Sequence, residues 1–292
     1  MATLTIESNG LPNPAQFGKA FGNNAFAPSA NTATSQSYNY SFTFRGGENT
    51  TNAQLTTPLS PLGIMTNGVV FYSPSSGVGV VPPALDAVAD APGTGFEYNA
   101  VQYRSNYGGD DAGGWPESNG QYHYMSSLFL FLPTGTAEAS AAWNTNMITV
   151  DASPTPAYYN GSNFSGDLFR HADGHSKIVG YAFDGYPIYG PYAYSDFNDP
   201  ASVVTRMTSS YQLYSSERPG RGFLYSEKTA GKFINDHEYQ VGTGTLDEYN
   251  GRFAKTPEYP LGTYAYHLSV DASLQSVYPY IVGPSTKQQR AF

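Results

Sequence analysis

A chain of 292 residues is one large domain or two ordinary ones, and its 31 Gly and 21 Pro, with only 13% charged residues against roughly 25% on average, describe a molecule built from turns. At 15% aromatic, with 25 Tyr and 17 Phe, it carries too much ring surface for a disordered polymer, and its Gly and Pro content excludes a coiled coil or helical bundle. A formal charge of −9 with singly scattered Lys and Arg argues against a nucleic-acid partner, and no apolar run approaches the roughly 18 residues of a membrane span.

The first 36 residues are poor in large apolar side chains and read as an arm or partly extended segment. A single β-rich domain follows over 37–283, with a short tail over 284–292. Alternation over Ser37-Tyr-Asn-Tyr-Ser-Phe-Thr-Phe44 puts Tyr38, Tyr40, Phe42 and Phe44 on one face of a strand. Leu62 to Tyr72 reads as a hairpin whose Asn67-Gly68 pair supplies the positive φ angles of a tight turn. Residues 73–120 read as long loops around short strands. Gly120-Gln-Tyr-His-Tyr-Met-Ser126 is a strand running into the apolar segment Leu128–Leu132, and Ala137–Trp143 is a helix candidate.

Ile178 to Tyr189 is a second hairpin around Asp184-Gly185, with Pro187 predicting an edge strand or irregular pairing. Asp199-Pro200 supplies the cap and first position of a short helix. Gly262-Thr-Tyr-Ala-Tyr266 echoes Gly120-Gln-Tyr-His-Tyr124, as two related strands in two halves would. The fold class is therefore mainly β, a β-sandwich or irregular multi-sheet domain with long loops and a few short helices.

Chemistry must come from five histidines, since there is no cysteine. His171, Asp173 and His175 alternate, and in an extended loop they project to one side, where Gly174 permits a bend around a divalent ion; His123 and His267 are further candidate ligands. The competing reading has each imidazole fixing local backbone. Asp247, Glu248 and Asn250 offer oxygen ligands for calcium, or simply make a turn before Gly251. Asp184, Asp247 and Glu258 are the carboxylates a glycosidase would have to bring together. Trp115, Tyr122 and Tyr124 are candidate stacking platforms for a sugar. No nucleophile elbow or phosphate-binding loop is present, so no catalytic residue and no cofactor beyond that possible metal is assigned.

Seven stretches together resemble the YHYH-domain family, in order and over nearly the whole chain: Ser8–Asn13, Thr57–Phe71, Gly120–Tyr124, Gly174–Gly190, Leu246–Phe253, Thr256–Tyr266 and Tyr278–Tyr280. Two positions depart from the family's pattern. Its Tyr-His-Tyr-His motif is here Tyr122-His123-Tyr124-Met125, and Tyr249 stands where many members have cysteine. The resemblance implies a protein exported by marine bacteria or associated with the virions of tailed phages of marine cyanobacteria.

The opening stretch has neither the basic nor the apolar region of a secretory signal, which favours the phage branch. The leading expectation is a virion structural protein of the tail, fibre, baseplate or capsid-decoration kind. It would be made in the host cytoplasm, be homo-oligomeric and touch other virion proteins, with a host surface glycan as a further partner. A metal-dependent hydrolase or glycan-modifying enzyme, and a glycan-binding module, are the alternatives; a removed signal would make the chain secreted or cell-surface.

Overall fold

A computed structural model of the chain describes residues 3–11, 31–43, 53–54, 60–82, 85–86, 93, 95–104, 106–109, 114–126, 170–216, 218, 220–221, 230–272 and 275–288. The helix candidate Ala137–Trp143 and the apolar run Leu128–Leu132 lie outside these residues. The described fold is mainly β. No helix among the described residues is long and apolar enough to cross a membrane.

Strands β1 (Thr3–Ser8) and β2 (Tyr38–Thr43) form an antiparallel ribbon in which Leu4 faces Phe42 and Ile6 faces Tyr40. Alternation in β2 turns Tyr38, Tyr40 and Phe42 inward and leaves Asn39 and Ser41 exposed. The ribbon is tied to the rest of the fold where the Ser8 hydroxyl donates to the Gly68 carbonyl at 2.8 Å. β3 (Ala53–Gln54) is a two-residue strand.

Strands β4 (Gly63–Met65) and β5 (Val70–Phe71) make the first predicted hairpin, with Gly68 at φ 85° in its turn. β6 (Gly114–Pro116) and β7 (Tyr122–Tyr124) follow as an antiparallel pair. β8 (Ile178–Ala182) and β9 (Pro187–Tyr189) make the second hairpin. The chain continues through β10 (Tyr192–Tyr194), β11 (Val204–Arg206), β12 (Tyr211–Leu213), a 3-10 turn at Ile234–Asp236, and β13 (His237–Tyr239). It ends in β14 (Gly251–Ala254), β15 (Thr263–His267) and β16 (Ser285–Thr286).

Eight strands build one open sheet in the order β14-β15-β9-β8-β4-β5-β7-β6; the remaining pairs are the two-stranded ribbons β1-β2, β10-β11, β12-β13 and β16-β3. The large sheet carries most of the core, with Ile64, Phe71, Tyr122, Tyr124, Ile188, Tyr189, Tyr264 and Tyr266 all buried. Both echo segments are strands of this sheet, each one place in from an end.

Two expectations change. Pro187 does not sit on an edge, because β9 runs between β8 and β15. Its missing N–H is tolerated at the start of the strand, since pairing with β15 begins at Ile188, and the other alternative, irregular pairing, is what β8-β9 shows in its register shift between Ile178 and Gly180. Asp199-Pro200 opens a turn rather than a helix. The Asp199 side chain takes the Ala201 N–H at 2.9 Å and the Ser202 hydroxyl closes on the Asp199 carbonyl at 2.7 Å, after which the chain runs into β11.

Candidate functional site

The candidate residues fall into separate neighbourhoods. His123 on β7 and His267 on β15 stand five strand spacings apart in the sheet order, about 24 Å at roughly 4.8 Å per strand, so they do not share a site.

His123 is wholly buried. Tyr72 stacks on it with ring centroids 4.4 Å apart, Trp115 meets it edge-on at 5.1 Å, and Tyr107 stacks on Trp115 at 5.7 Å. Among the described residues neither ring nitrogen of His123 has a hydrogen-bond partner; the Glu117 carboxylate approaches Nε2 only to 3.7 Å. Burial therefore pulls its pKa down to about 4 and keeps the ring neutral at pH 7. Trp115, Tyr122 and Tyr124 are buried as well, with Tyr122 and Tyr124 edge-on at 5.6 Å, so none of the three presents a stacking face to solvent. The reason is that both faces of this part of the sheet are packed: every residue of β6 and of β7 is buried.

The second neighbourhood starts in the His171–His175 loop, which is a tight turn rather than an extended stretch. The Gly174 N–H donates to the His171 carbonyl at 2.9 Å, the His171 N–H to the His175 carbonyl at 2.8 Å, and Gly174 takes φ 92°. The turn sends the three candidate ligands to different partners. His171 Nε2 lies 2.8 Å from the Glu258 carboxylate. Asp173 accepts from the His175 N–H at 3.0 Å and from the Tyr194 hydroxyl at 2.5 Å. Burial would raise its carboxyl, but those two hydrogen bonds and the neighbouring histidines hold it below its ordinary value. His175 turns into the core against Tyr189 (5.3 Å) and Tyr194 (4.7 Å), its ring 6.5 Å from that of His171.

Tyr189 is the centre of this neighbourhood. Its hydroxyl meets Thr256 Oγ1 at 2.8 Å and donates to Glu258 Oε2 at 3.0 Å, and His267 stacks on its ring at 5.8 Å. A continuous hydrogen-bond chain thus runs from buried Thr256 through Tyr189 and Glu258 to partly exposed His171. Burial raises the Tyr189 hydroxyl well above its usual range, so it acts only as a neutral donor.

His175 and His267 share a specific preparation. A carbonyl can only accept, so the contacts of their Nδ1 atoms with Ser176 O (2.7 Å) and Gly190 O (3.2 Å) fix the proton on Nδ1. Each Nε2 is then a buried lone pair without a partner among the described residues. Such a fixed, neutral imidazole is what a metal or a donor ligand needs. Burial, the Arg252 guanidinium and His175 all push the His267 pKa well down, while Arg252, itself lowered to about 10 by burial, has no partner for its Nε among the described residues. Among the described residues no three His, Asp or Glu side chains converge so as to hold a metal ion.

The Leu246–Gly251 segment is a turn. Asp247 accepts the Tyr249 and Gly251 N–H groups, each at 3.0 Å, and the Tyr264 hydroxyl at 2.9 Å, and burial outweighs these bonds to raise its carboxyl. Asn250 adopts φ 67°, is fully buried, and donates to the His267 carbonyl at 2.8 Å and the Ile281 carbonyl at 3.1 Å. Asp184 is held elsewhere, by Tyr266 and Gln288. Sequence reasoning singled out His175, His267 and Glu258 but missed Tyr189 and Thr256, because a Tyr that follows Ile188 in a short apolar strand reads as core packing.

No curated protein and no solved structure matches the chain. The family model described as YHYH protein matches residues 39–278, a span that holds both tyrosine–histidine neighbourhoods and the whole eight-stranded sheet. The chain belongs to the YHYH protein family.

Proposed function

We propose that the chain is a structural component of an assembled particle, a phage virion protein that works by contact with neighbouring particle proteins and with further copies of itself. The observation that carries this reading is the margin beside β14, the end strand of the large sheet. Leu261 is 93% exposed, Val203 74% and Phe197 58%, and Phe253 on β14 itself is partly exposed. Exposed apolar residues scattered singly are ordinary, but these are carried on adjoining segments. The Lys255 N–H donates to the Phe197 carbonyl at 2.8 Å, and the Phe253 ring lies against Gly262, next to Leu261. An end strand flanked by uncovered apolar side chains suits a protein partner, and particle components of this kind are normally symmetric oligomers.

Mass spectrometry of purified particles from the source that encodes this chain tests the assignment. The chain is expected among the particle proteins at a fixed copy number relative to its neighbours. Its absence from intact particles, with the protein free in the lysate, would overturn the reading.

A further inference from the structure

The order β14-β15-β9-β8-β4-β5-β7-β6 has the same internal logic from either end. The end strand is antiparallel to the second (β14-β15, β6-β7), and the second is parallel to the third (β15-β9, β7-β5). The third forms a hairpin with the fourth (β9-β8, β5-β4), and the two fourth strands meet antiparallel at the centre. Chain order agrees, since β4, β5, β6, β7 is matched by β8, β9, β14, β15.

Topology alone can coincide, but register cannot easily, because a slip of one residue turns every side chain to the other face. At the centre Ile64 faces Tyr181, with Gly63 opposite Ala182 and Met65 opposite Gly180. The Thr66 N–H donates across the seam to the Val179 carbonyl, and the Phe183 N–H donates back to Leu62, at 2.9 and 2.8 Å. Gly63 pairs with Phe71 and Ile64 with Val70; in the other hairpin Gly180 pairs with Ile188 and Tyr181 with Pro187. Each turn has a left-handed Gly, at φ 85° (Gly68) and 95° (Gly185), and an Asn67 or Asp184 side chain that takes the N–H two residues on.

Further out, Phe71 faces Tyr124 as Ile188 faces Tyr266, and Gly114 faces Tyr124 as Gly251 faces Tyr266. A Cβ on Gly114 or on Gly251 would lie 2.4 Å from the hydroxyl of Tyr122 or of Tyr264 respectively. Asn67 binds the Tyr124 hydroxyl where Asp184 binds that of Tyr266.

We infer that the sheet is a fused dimer: two copies of one four-strand unit in a single chain, with the β4-β8 seam as a two-fold protein–protein interface whose partner on each side is the other half. Ile64, Met65, Val179 and Ala182 at the seam are buried. Either half alone would offer an open, apolar strand edge, which drives pairing. Tyr72 and Tyr189 then occupy one position in two copies of one site. Each stacks on an imidazole of its half's second strand, but the two imidazoles come from positions two residues apart, since His123 aligns with Ala265 and His267 with Met125. The loop joining the two outer strands brings Glu117 to within 3.7 Å of His123 in one half and Glu258 onto the Tyr189 hydroxyl in the other. This inference goes beyond the structural role proposed above and does not depend on it.

The test uses the full chain with a specific protease site placed within residues 127–169, between the halves, cut after folding. The two fragments are expected to co-elute in native buffer, to part in urea, and to recombine on dilution. Hydrogen exchange at the Thr66 and Phe183 amides should be slow in the recombined complex and fast in both separated fragments. Fragments that part or precipitate in native buffer, or a fragment that alone keeps its seam amide protected as a monomer, would overturn the inference.

Discussion

The Tyr266 hydroxyl donates to the Asp184 carboxylate at 2.5 Å, joining β15 to the β8-β9 turn where Asp184 is 1% exposed. The Lys287 N–H donates in turn to the Tyr266 oxygen at 2.7 Å, and the Gln288 N–H reaches Asp184 at 3.2 Å. One tyrosine therefore fastens a strand, a turn and the C-terminal segment. Tyr266→Phe keeps the ring and strands the buried partners, so urea unfolding should show a loss of about 1–3 kcal/mol. An unchanged midpoint would mean that water satisfies these groups instead.

Two glycines separate steric from conformational cost. A Cβ on Gly251 would stand 2.4 Å from the Tyr264 hydroxyl and 2.6 Å from the Ala265 carbonyl, whereas Gly242, at φ 81°, has nothing within 4 Å. Gly251→Ala should cost about 1–3 kcal/mol through forced movement of the β14-β15 pair. Gly242→Ala should cost only about 1 kcal/mol of backbone strain. Thermal unfolding of both variants checks the order, and the reverse order would show that β14 is free to shift.

Acid should weaken the fold through its buried imidazoles. His123 titrates near 6.5 when unfolded and about 4 when folded, so between those values the unfolded chain binds the extra proton. Stability present at pH 7 is lost as the pH falls through that window, by about 2 kcal/mol at pH 5 for this residue alone. His175, His237 and His267 shift in the same direction. Asp184, raised by burial to about 6, works oppositely and offsets part of the loss below that pH. Urea titrations at pH 7 and pH 5 should show a smaller drop in His123→Phe than in the parent chain. An equal drop in both would place the acid sensitivity elsewhere.

Local chemistry made the hairpins legible. Asn67-Gly68 and Asp184-Gly185 dictate their turns by φ alone, and the repeated Gly-x-Tyr-x-Tyr marks β7 and β15 as equivalent strands. The site was legible only in its residue types. Alternation at His171, Asp173 and His175 suggested a shared ligand, yet hydrogen bonds within the turn gave each side chain its own partner. Nothing local signals that Glu258 will reach both His171 and Tyr189, because that contact depends on where the β14-β15 loop lands. Trp115 was open to the same error, since its cover by Tyr107 from a preceding turn and by His123 from β7 is invisible in a single segment.

Light scattering coupled to size exclusion, on the parent chain and on a Phe197→Asp, Leu261→Asp double variant, tests the contact-making role most directly. Both side chains are exposed, so their replacement should leave the fold intact, as far-UV circular dichroism will report. The parent is expected to elute as a defined multiple of 31.5 kDa and the variant as the single chain. A parent that stays at 31.5 kDa at every concentration, or an oligomer that the double substitution leaves untouched, would contradict it.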